Sequence, residues 1–491
     1  MQNVPASDMS ITSRLSMLRA QGRAWEALSW STPEPVVLPT PPGVTMWRLV
    51  GDVFCIAGPG FIQCIRLPSS IKRIAQQEWR IYHSCGESGL NWDFCYDPSQ
   101  DLLVLFEGFR PSGDQESYLA FKTHVLTLST GSPHPAATSP VLLYAPEFRY
   151  RTLHVRLTLQ VCDRHFAMLM EDTNHKEQPK FAVWNWMSGL KEVEIVHSFS
   201  YIFKSFSLLP DDLLLVGVDR YMQDTPGKPN EAYISVYDLD RATHTGPYTL
   251  DNEDDHSYIC KLDFDSEFAG DNMFISSTPL FADKHTTGLG NVECASPFTL
   301  APEAQLIVIN LNIEAPLATR VFLPVSVIMQ YVSSARKSGA LGVVIPWSDW
   351  GLSPRVFVTS FRTRVWGRGR AWHRYSTRGL RIATVLDHNL SDEEWTRGEL
   401  YELVAIMDIN PMTHATCSGL GKDWTRPQPE SEQWEGSFRV AWRKEVGFNR
   451  RWTSCLLGDD LIVLVSEDWF EGPLFAVMAL EDPGEEPTSA A

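Results

Sequence analysis

The chain has 491 residues, 42 basic and 60 acidic, for a formal charge of −18. So acidic a balance argues against a duplex-nucleic-acid binder or a protein held to an anionic membrane, since both need clustered Lys and Arg. No apolar run approaches the ~20 residues that cross a bilayer, and "MQNVPASDMS" lacks the apolar core of a signal peptide, so a cytoplasmic or nuclear protein is expected.

From the N-terminus, "SITSRLSMLRAQGRAWEALSW" predicts a helix over residues 10–29. Ile11, Leu15, Leu18 and Trp25 fall on one apolar stripe, with Arg14, Arg19 and Arg23 toward solvent. Gly22 weakens its middle, and Pro33, Pro35, Pro39, Pro41 and Pro42 break it. Residues 1–30 are therefore set apart from a main body over residues 31–480. The last stretch, residues 481–491, has the acidic, Pro-rich composition of a disordered tail.

The main body repeats. "CIRLPSS" from Cys64, "VLTLSTG" from Val125, "VWNWMSG" from Val183 and "VYDLDRA" from Val236 share one form, as do "VINLNIE" from Val308, "IMDINPM" from Ile406 and "VMALEDP" from Val477. Each has an apolar pair, a small or polar residue, an apolar residue and a polar turn. Successive starts lie 61, 58, 53, 72, 98 and 71 residues apart. Apolar runs that follow an Asp or Gly accompany many copies: "QDLLVLFEGF", "DRHFAMLMED", "DDLLLVGVDR", "GDNMFISSTP" and "DDLIVLVSED". Paired strands recurring seven times without helical periods between them predict an all-β chain, a seven-bladed β-propeller. Trp184 and Trp186 then read as packing between blades rather than a ligand platform, and Gly131 and Gly189 as positive-φ turn residues.

Two charged stretches interrupt the pattern. "DNEDDH" (residues 251–256) and "DFDSEFAGDN" (263–272) alternate carboxylates, but lack the sixth-position Gly and twelfth-position Glu of a calcium loop, so no metal is expected. "FRTRVWGRGRAWHRYSTRGLR" (361–381) lies inside the longest repeat interval and carries seven arginines. Its Trp366, Arg368, Arg370, Trp372, Arg374 and Tyr375 are the candidate partner-binding residues. Arg with aromatics suits a protein hot spot or single-stranded nucleic acid, and it equally suits a strand pair with internal ion pairs.

The nine cysteines are scattered, with no Cys-x-x-Cys, as in a reduced intracellular protein. No His-Glu-x-x-His, Walker loop or nucleophile elbow occurs. Neither a catalytic residue nor a cofactor is expected.

These landmarks carry a resemblance. "SRLSMLRAQGRAWEALSW", "IPWSDWGLSPRVF" (345–357), "AIMDINP" (405–411) and "FRVAWRKEV" (438–446) resemble segments of F-box proteins from mushroom-forming fungi, the first looking like the helix that follows the F-box. The resemblance implies the substrate-recognition part of a Skp–cullin–F-box ubiquitin ligase. The family's F-box lies upstream of that helix, and about ten polar residues precede it here. The Skp adaptor and cullin are therefore expected as partners only with an F-box upstream, and the chain by itself is expected not to bind the adaptor. The expected function is non-catalytic binding of a protein target. The alternatives are a propeller enzyme with a central-channel site and a scaffold paralogue uncoupled from ubiquitination.

Overall fold

The computed structural model describes residues 2–3, 9–32, 35–85, 92–109, 120–145, 155–172, 179–195, 201–220, 231–242, 258–265, 273–277, 298–299, 301, 304–311, 317–351, 356–362, 375–378, 381–387, 401–408, 438–445, 452, 454–468 and 472–484. The Val/Leu/Ile/Phe runs pair as antiparallel meanders. In chain order, sheet 1 is Met46–Val50, Val53–Gly58, Phe61–Arg66 and Gln77–Tyr82. Sheet 2 is Trp92–Asp97, Leu102–Phe109, Ala120–Thr127 and Val141–Tyr144, and sheet 3 is Val155–Cys162, His165–Asp172, Lys180–Asn185 and Leu190–Ile195. Sheet 4 is Tyr201–Leu209, Leu213–Arg220, Glu231–Asp238 and Tyr258–Asp263. Sheet 5 is Phe274–Ser277, Leu306–Leu311, Leu317–Pro324 and Phe357–Arg362. Sheet 6 is Tyr375–Arg378, Arg381–Asp387, Tyr401–Asp408 and Phe438–Glu445. Sheet 7 is Ser454–Leu457, Leu461–Asp468 and Gly472–Ala479, completed by the N-terminal strand Val36–Leu38.

Repeated four-stranded meanders, the last completed from the opposite end of the chain, make this an all-β β-propeller fold with a short N-terminal helix. Among the described residues six sheets have the plain four-strand form, rather than seven. Sheet 4 carries a fifth strand, Val343–Ile345, parallel to Tyr258–Asp263 with Cys260 opposite Val343. That strand returns from an insertion between the third and fourth strands of sheet 5.

One hydrogen bond explains the repeat. At the end of the third strand, one backbone N–H donates to a carbonyl in or beside the turn between the first two strands. The pairs are Leu67 to Asp52 (2.8 Å), Leu128 to Asp101 (2.7 Å), Trp186 to Arg164 (3.0 Å) and Leu239 to Asp212 (2.7 Å). Leu480 to Asp460 (2.9 Å) repeats it in sheet 7, and Val325 to Gln305 (2.9 Å) in sheet 5. Five of the donors are the fourth, apolar position of the sequence repeat, the exception being Val325, and all six are buried. Sheet 5 corrects the sequence alignment: "VINLNIE" starts on its second strand, and the true equivalent is Val325. "GDNMFISSTP" supplies the first strand of the same sheet.

The chain forms two compact units, Met1–Arg80 with Glu293–Ala301 and Gly367–Ala491, and Ile81–Val292 with Pro302–Trp366. In the first, Phe54 and Ile56 of sheet 1 pack with Val463 and Phe475 of sheet 7. In the second, one core runs from Phe181 and Val183 through Leu215 and Ile234 to Ile307 and Val321. A neighbouring core joins sheets 2 and 3 and holds both Trp184 and Trp186. Trp184 packs edge-on against Tyr144 at 5.3 Å, and Trp186 against His134 at 4.8 Å. The Trp186 Nε1–H donates to the Asp163 carbonyl at 2.8 Å. The tryptophans are wedges between sheets, as expected. Gly131 and Gly189 take positive φ, 72° and 77°.

The insertion contains helices that the sequence reading lacks. Short helices α1 (Ile11–Ala27) and α2 (Leu239–Ala242) precede α3 (Val325–Ser338) and α4 (Trp347–Trp350) in the chain. In α3, Val325, Ile328, Val332 and Ala335 step by three and four and are buried. Gly339, φ 68°, closes it, its N–H donating to the Arg336 carbonyl. The Trp-x-x-Trp-Gly landmark is α4. Trp347 and Trp350 stand edge to face at 4.7 Å, both against Phe264, and the Trp350 Nε1–H donates to the Asp263 carbonyl at 2.9 Å. A Cβ on Gly351 would lie 2.3 Å from the Trp347 ring, so only glycine fits there.

Candidate interaction surface

Helix α1 is built from its caps inward. Ser10 takes extended φ/ψ and its Oγ accepts from the Ser13 N–H at 3.1 Å. Leu28, at φ 49°, ends the helix by donating its N–H to the Ala24 carbonyl. The buried face is Met17, Ala20, Gln21, Ala24 and Trp25. The side chains of Gln21 and Trp25 both donate to the Asp459 carbonyl, at 2.9 and 2.8 Å. Arg23 pairs both oxygens of Asp482, with distances of 3.0 and 2.9 Å from Nη2. These bonds fix α1 to sheet 7.

That face is not the predicted one. Of Ile11, Leu15, Leu18 and Trp25, only Trp25 is buried, while Ile11 is 74 % and Leu15 45 % exposed. The buried face sits roughly a third of a turn around the helix from the expected stripe. Small Ala20 and Ala24 let the helix backbone approach the sheet closely, and Gln21 is polar but finds its acceptor there. Helix α1 thus has two apolar faces. One is used by sheet 7 and the other faces solvent at the N-terminal end.

Beneath α1 lies a buried ionic cluster. The Lys72 ammonium, with no exposed side-chain surface, sits 2.9 Å from Asp52, 2.8 Å from Asp459 and 4.0 Å from Asp460. Arg378 donates from Nε to Asp459, and Ser69 from Oγ to Asp460. Burial works against the Lys72 charge, but Asp459, Asp52 and Asp460 outweigh it and raise its pKa. Burial also disfavours the Asp459 carboxylate, yet Arg378 and Lys72 hold its pKa well below the ordinary range. Asp460 goes the other way: burial raises it to about 6. An amine kept protonated in this way is no nucleophile. The cluster is a structural clamp.

A second cluster lies between the first turns of sheets 3 and 4. Arg164 reaches Asp212 at 3.3 Å and also pairs Asp240, while His165 is 2.9 Å from Glu192 and 3.4 Å from Asp212. Cys162 stands directly opposite His165 across the hairpin, so Cys, His and Asp share one neighbourhood. Burial pushes the Cys162 thiol well up, and the charges of Asp163, Asp97 and Asp212 push it further. Nucleophilic cysteines need the opposite shift.

Of the candidate partner-binding residues, Trp366, Arg368, Arg370, Trp372 and Arg374 lie outside the described residues. Tyr375 opens the first strand of sheet 6. Two arginines later in that basic stretch turn inward: Arg378 pairs Asp459, and Arg381 lies over the Trp25 ring at 5.0 Å. Residues 251–256 and 266–272 of the acidic stretches also lie outside the described residues. Among the described residues, no helix is long and apolar enough to cross a membrane.

No family model matches the chain, and no curated protein does. Solved structures similar to it include the WD40 domain of SCAP from fission yeast, with 8 % identity, 90 % of this chain and 85 % of that one covered, and a TM-score of 0.38. The extracellular domains 1–2 of Drosophila Semaphorin 1a match with 10 % identity, 94 % and 90 % coverage and a TM-score of 0.35. The polysaccharide lyase Uly1 matches with 8 % identity, 92 % and 98 % coverage and a TM-score of 0.40. With all three TM-scores below 0.5, the fold is read from the strand order.

Proposed function

We propose that this chain is a non-catalytic protein-interaction module that binds a protein target, acting as the recognition part of an F-box-type receptor of a Skp–cullin–F-box ubiquitin ligase. The observation that carries this reading is α1: bonded to sheet 7 by one face, it leaves Ile11 and Leu15 exposed at its leading end. A helix held this way can transmit a fixed orientation from a preceding helical module to the propeller. Loops at one face of such a scaffold are where the target would be held. The raised thiol of Cys162 and the locked Lys72 weigh against the enzyme alternative.

The test is an F-box fused ahead of Met9. The fused chain should co-purify with the Skp adaptor, and amides of Ile11–Leu18 should exchange more slowly than in the unfused chain. Replacing Ile11 and Leu15 with Asp should abolish that protection. Unchanged exchange in the fusion would remove α1 from the mechanism, and failure to bind the adaptor would remove the ligase role.

A further inference from the structure

Sheet 2 brings together three metal-binding side chains from separate places in the sequence. Glu107 lies near the end of its second strand and His124 on its third, while Cys85 lies on the segment that leads into the sheet. Their donor atoms all lie within 4.8 Å of one another. His124 Nε2 is 3.0 Å from a Glu107 oxygen. Cys85 is 3 % exposed, while Glu107 and His124 are half-buried, so the sulfur forms the floor and the other two the rim.

We propose that Cys85, Glu107 and His124 form a binding site for a borderline-soft dication of the Zn2+ kind, with a fourth position open to solvent. The donor set decides the class of ion. One sulfur, one imidazole nitrogen and one carboxylate oxygen suit a transition metal rather than Ca2+ or Mg2+. Three protein ligands with an open fourth position are the pattern of a non-structural zinc site.

The geometry needs little adjustment. Bonds of about 2.3 Å to sulfur and about 2.0–2.1 Å to nitrogen and oxygen, at tetrahedral angles, put donors about 3.3–3.6 Å apart. His124 and Glu107 already meet at 3.0 Å, so side-chain movement of about an ångström completes the set. Without a metal, burial and Glu107 push the Cys85 thiol up to about 12, and the thiol bonds to Glu107. Metal binding therefore breaks the S–H bond and forms the metal–sulfur bond, with one proton leaving to solvent. Glu107 and the new thiolate together neutralise the dication. Lys122, opposite Glu107 in register, is the contrary charge, but its ammonium lies over the Phe109 ring, 4.5 Å from the centroid.

Cobalt titration of the intact purified chain tests the site. One equivalent of Co2+ should give a thiolate-to-cobalt charge-transfer band and the d–d bands of a tetrahedral ion, both removed by one equivalent of Zn2+. Cys85→Ser and His124→Ala should each lose the thiolate band and weaken Zn2+ binding by more than the ~10–100-fold that loss of an outer-shell partner costs. Should Cys85→Ser fold poorly, Glu107→Gln keeps the side-chain shape and should show the same weakening. The absence of a thiolate band in the intact chain, or a band that survives both Cys85→Ser and His124→Ala, would overturn the proposal.

Discussion

Two Asp-Asp-Leu turns in this chain have almost the same sequence and opposite surroundings. Asp211-Asp212-Leu213 opens the second strand of sheet 4, and Asp459-Asp460-Leu461 opens that of sheet 7. At the first, Arg164 approaches from the rim with its side chain 36 % exposed, and Asp212 remains partly in water. At the second, Lys72 is closed off from water and faces three carboxylates. The turn motif places the acids. The partner's access to solvent sets what each pair is worth. A charge pair at the rim gains little because water already solvates both ions. A buried cation cannot be removed without leaving its carboxylates uncompensated.

The largest expected effect follows directly. Lys72→Met should destabilise the chain by about 3–5 kcal/mol, because Asp52 loses the ammonium beside it and Asp459 keeps only Arg378 in a site largely closed to water. Urea unfolding of both proteins measures it. A loss under about 1 kcal/mol would mean that water enters the cluster, and the contrast with Arg164 would collapse.

Asp460 sharpens the comparison through pH. Its folded pKa, about 6, lies above the ordinary Asp value of ~3.9. Between those values the folded chain keeps a proton that the unfolded chain has released. The Asp460 contribution to stability is thus fully present below pH ~4 and declines as pH rises toward 6. Asp459, depressed, does the reverse: its share is present above the ordinary value and is lost as pH falls below it. The raised pKa of Lys72 leaves its share intact below pH ~10. Asp460→Asn keeps an oxygen for the Ser69 hydroxyl but removes the titration. The variant should gain on the native protein by at most about 3 kcal/mol between pH ~4 and ~6. Equal pH slopes for the two proteins would assign the proton to another group.

The repeat was legible in the sequence because one physical demand recurs. An apolar residue must be buried just where its N–H reaches the neighbouring turn, and Leu67, Leu128, Trp186, Leu239 and Leu480 satisfy both. Among the described residues the pattern misled only in sheet 5, where "VINLNIE" imitates a third strand while lying on the second. The insertion after Val325 hid the true copy, although its i, i+3, i+7, i+10 burial of Val325, Ile328, Val332 and Ala335 is a plain helical signal. Helix α1 was legible as a helix but not in its orientation. Hydrophobicity favoured Ile11 and Leu15, whereas sheet 7 selected the face that offers small alanines and two donors for one carbonyl. The Cys85, Glu107 and His124 grouping has no linear trace, since pairing of two strands brings Glu107 and His124 together and the tertiary fold adds Cys85 from outside the sheet.

The smallest expected effect is at Arg164, where methionine keeps the apolar stem and removes only the charge. Arg164→Met frees Asp212 and Asp240, both of which can turn to water, so the loss should stay within about 1 kcal/mol. It should shrink further as salt is raised toward 1 M, where screening acts within about 3 Å. The repeat bond from the Trp186 N–H is unaffected, because it uses the Arg164 backbone carbonyl. Urea unfolding at low and high salt reads both features. A salt-independent loss of several kcal/mol would show that the guanidinium also holds Asp212 against the buried His165, 3.4 Å away. The two Asp-Asp turns would then be equivalent clamps, and solvent access would not be what separates them.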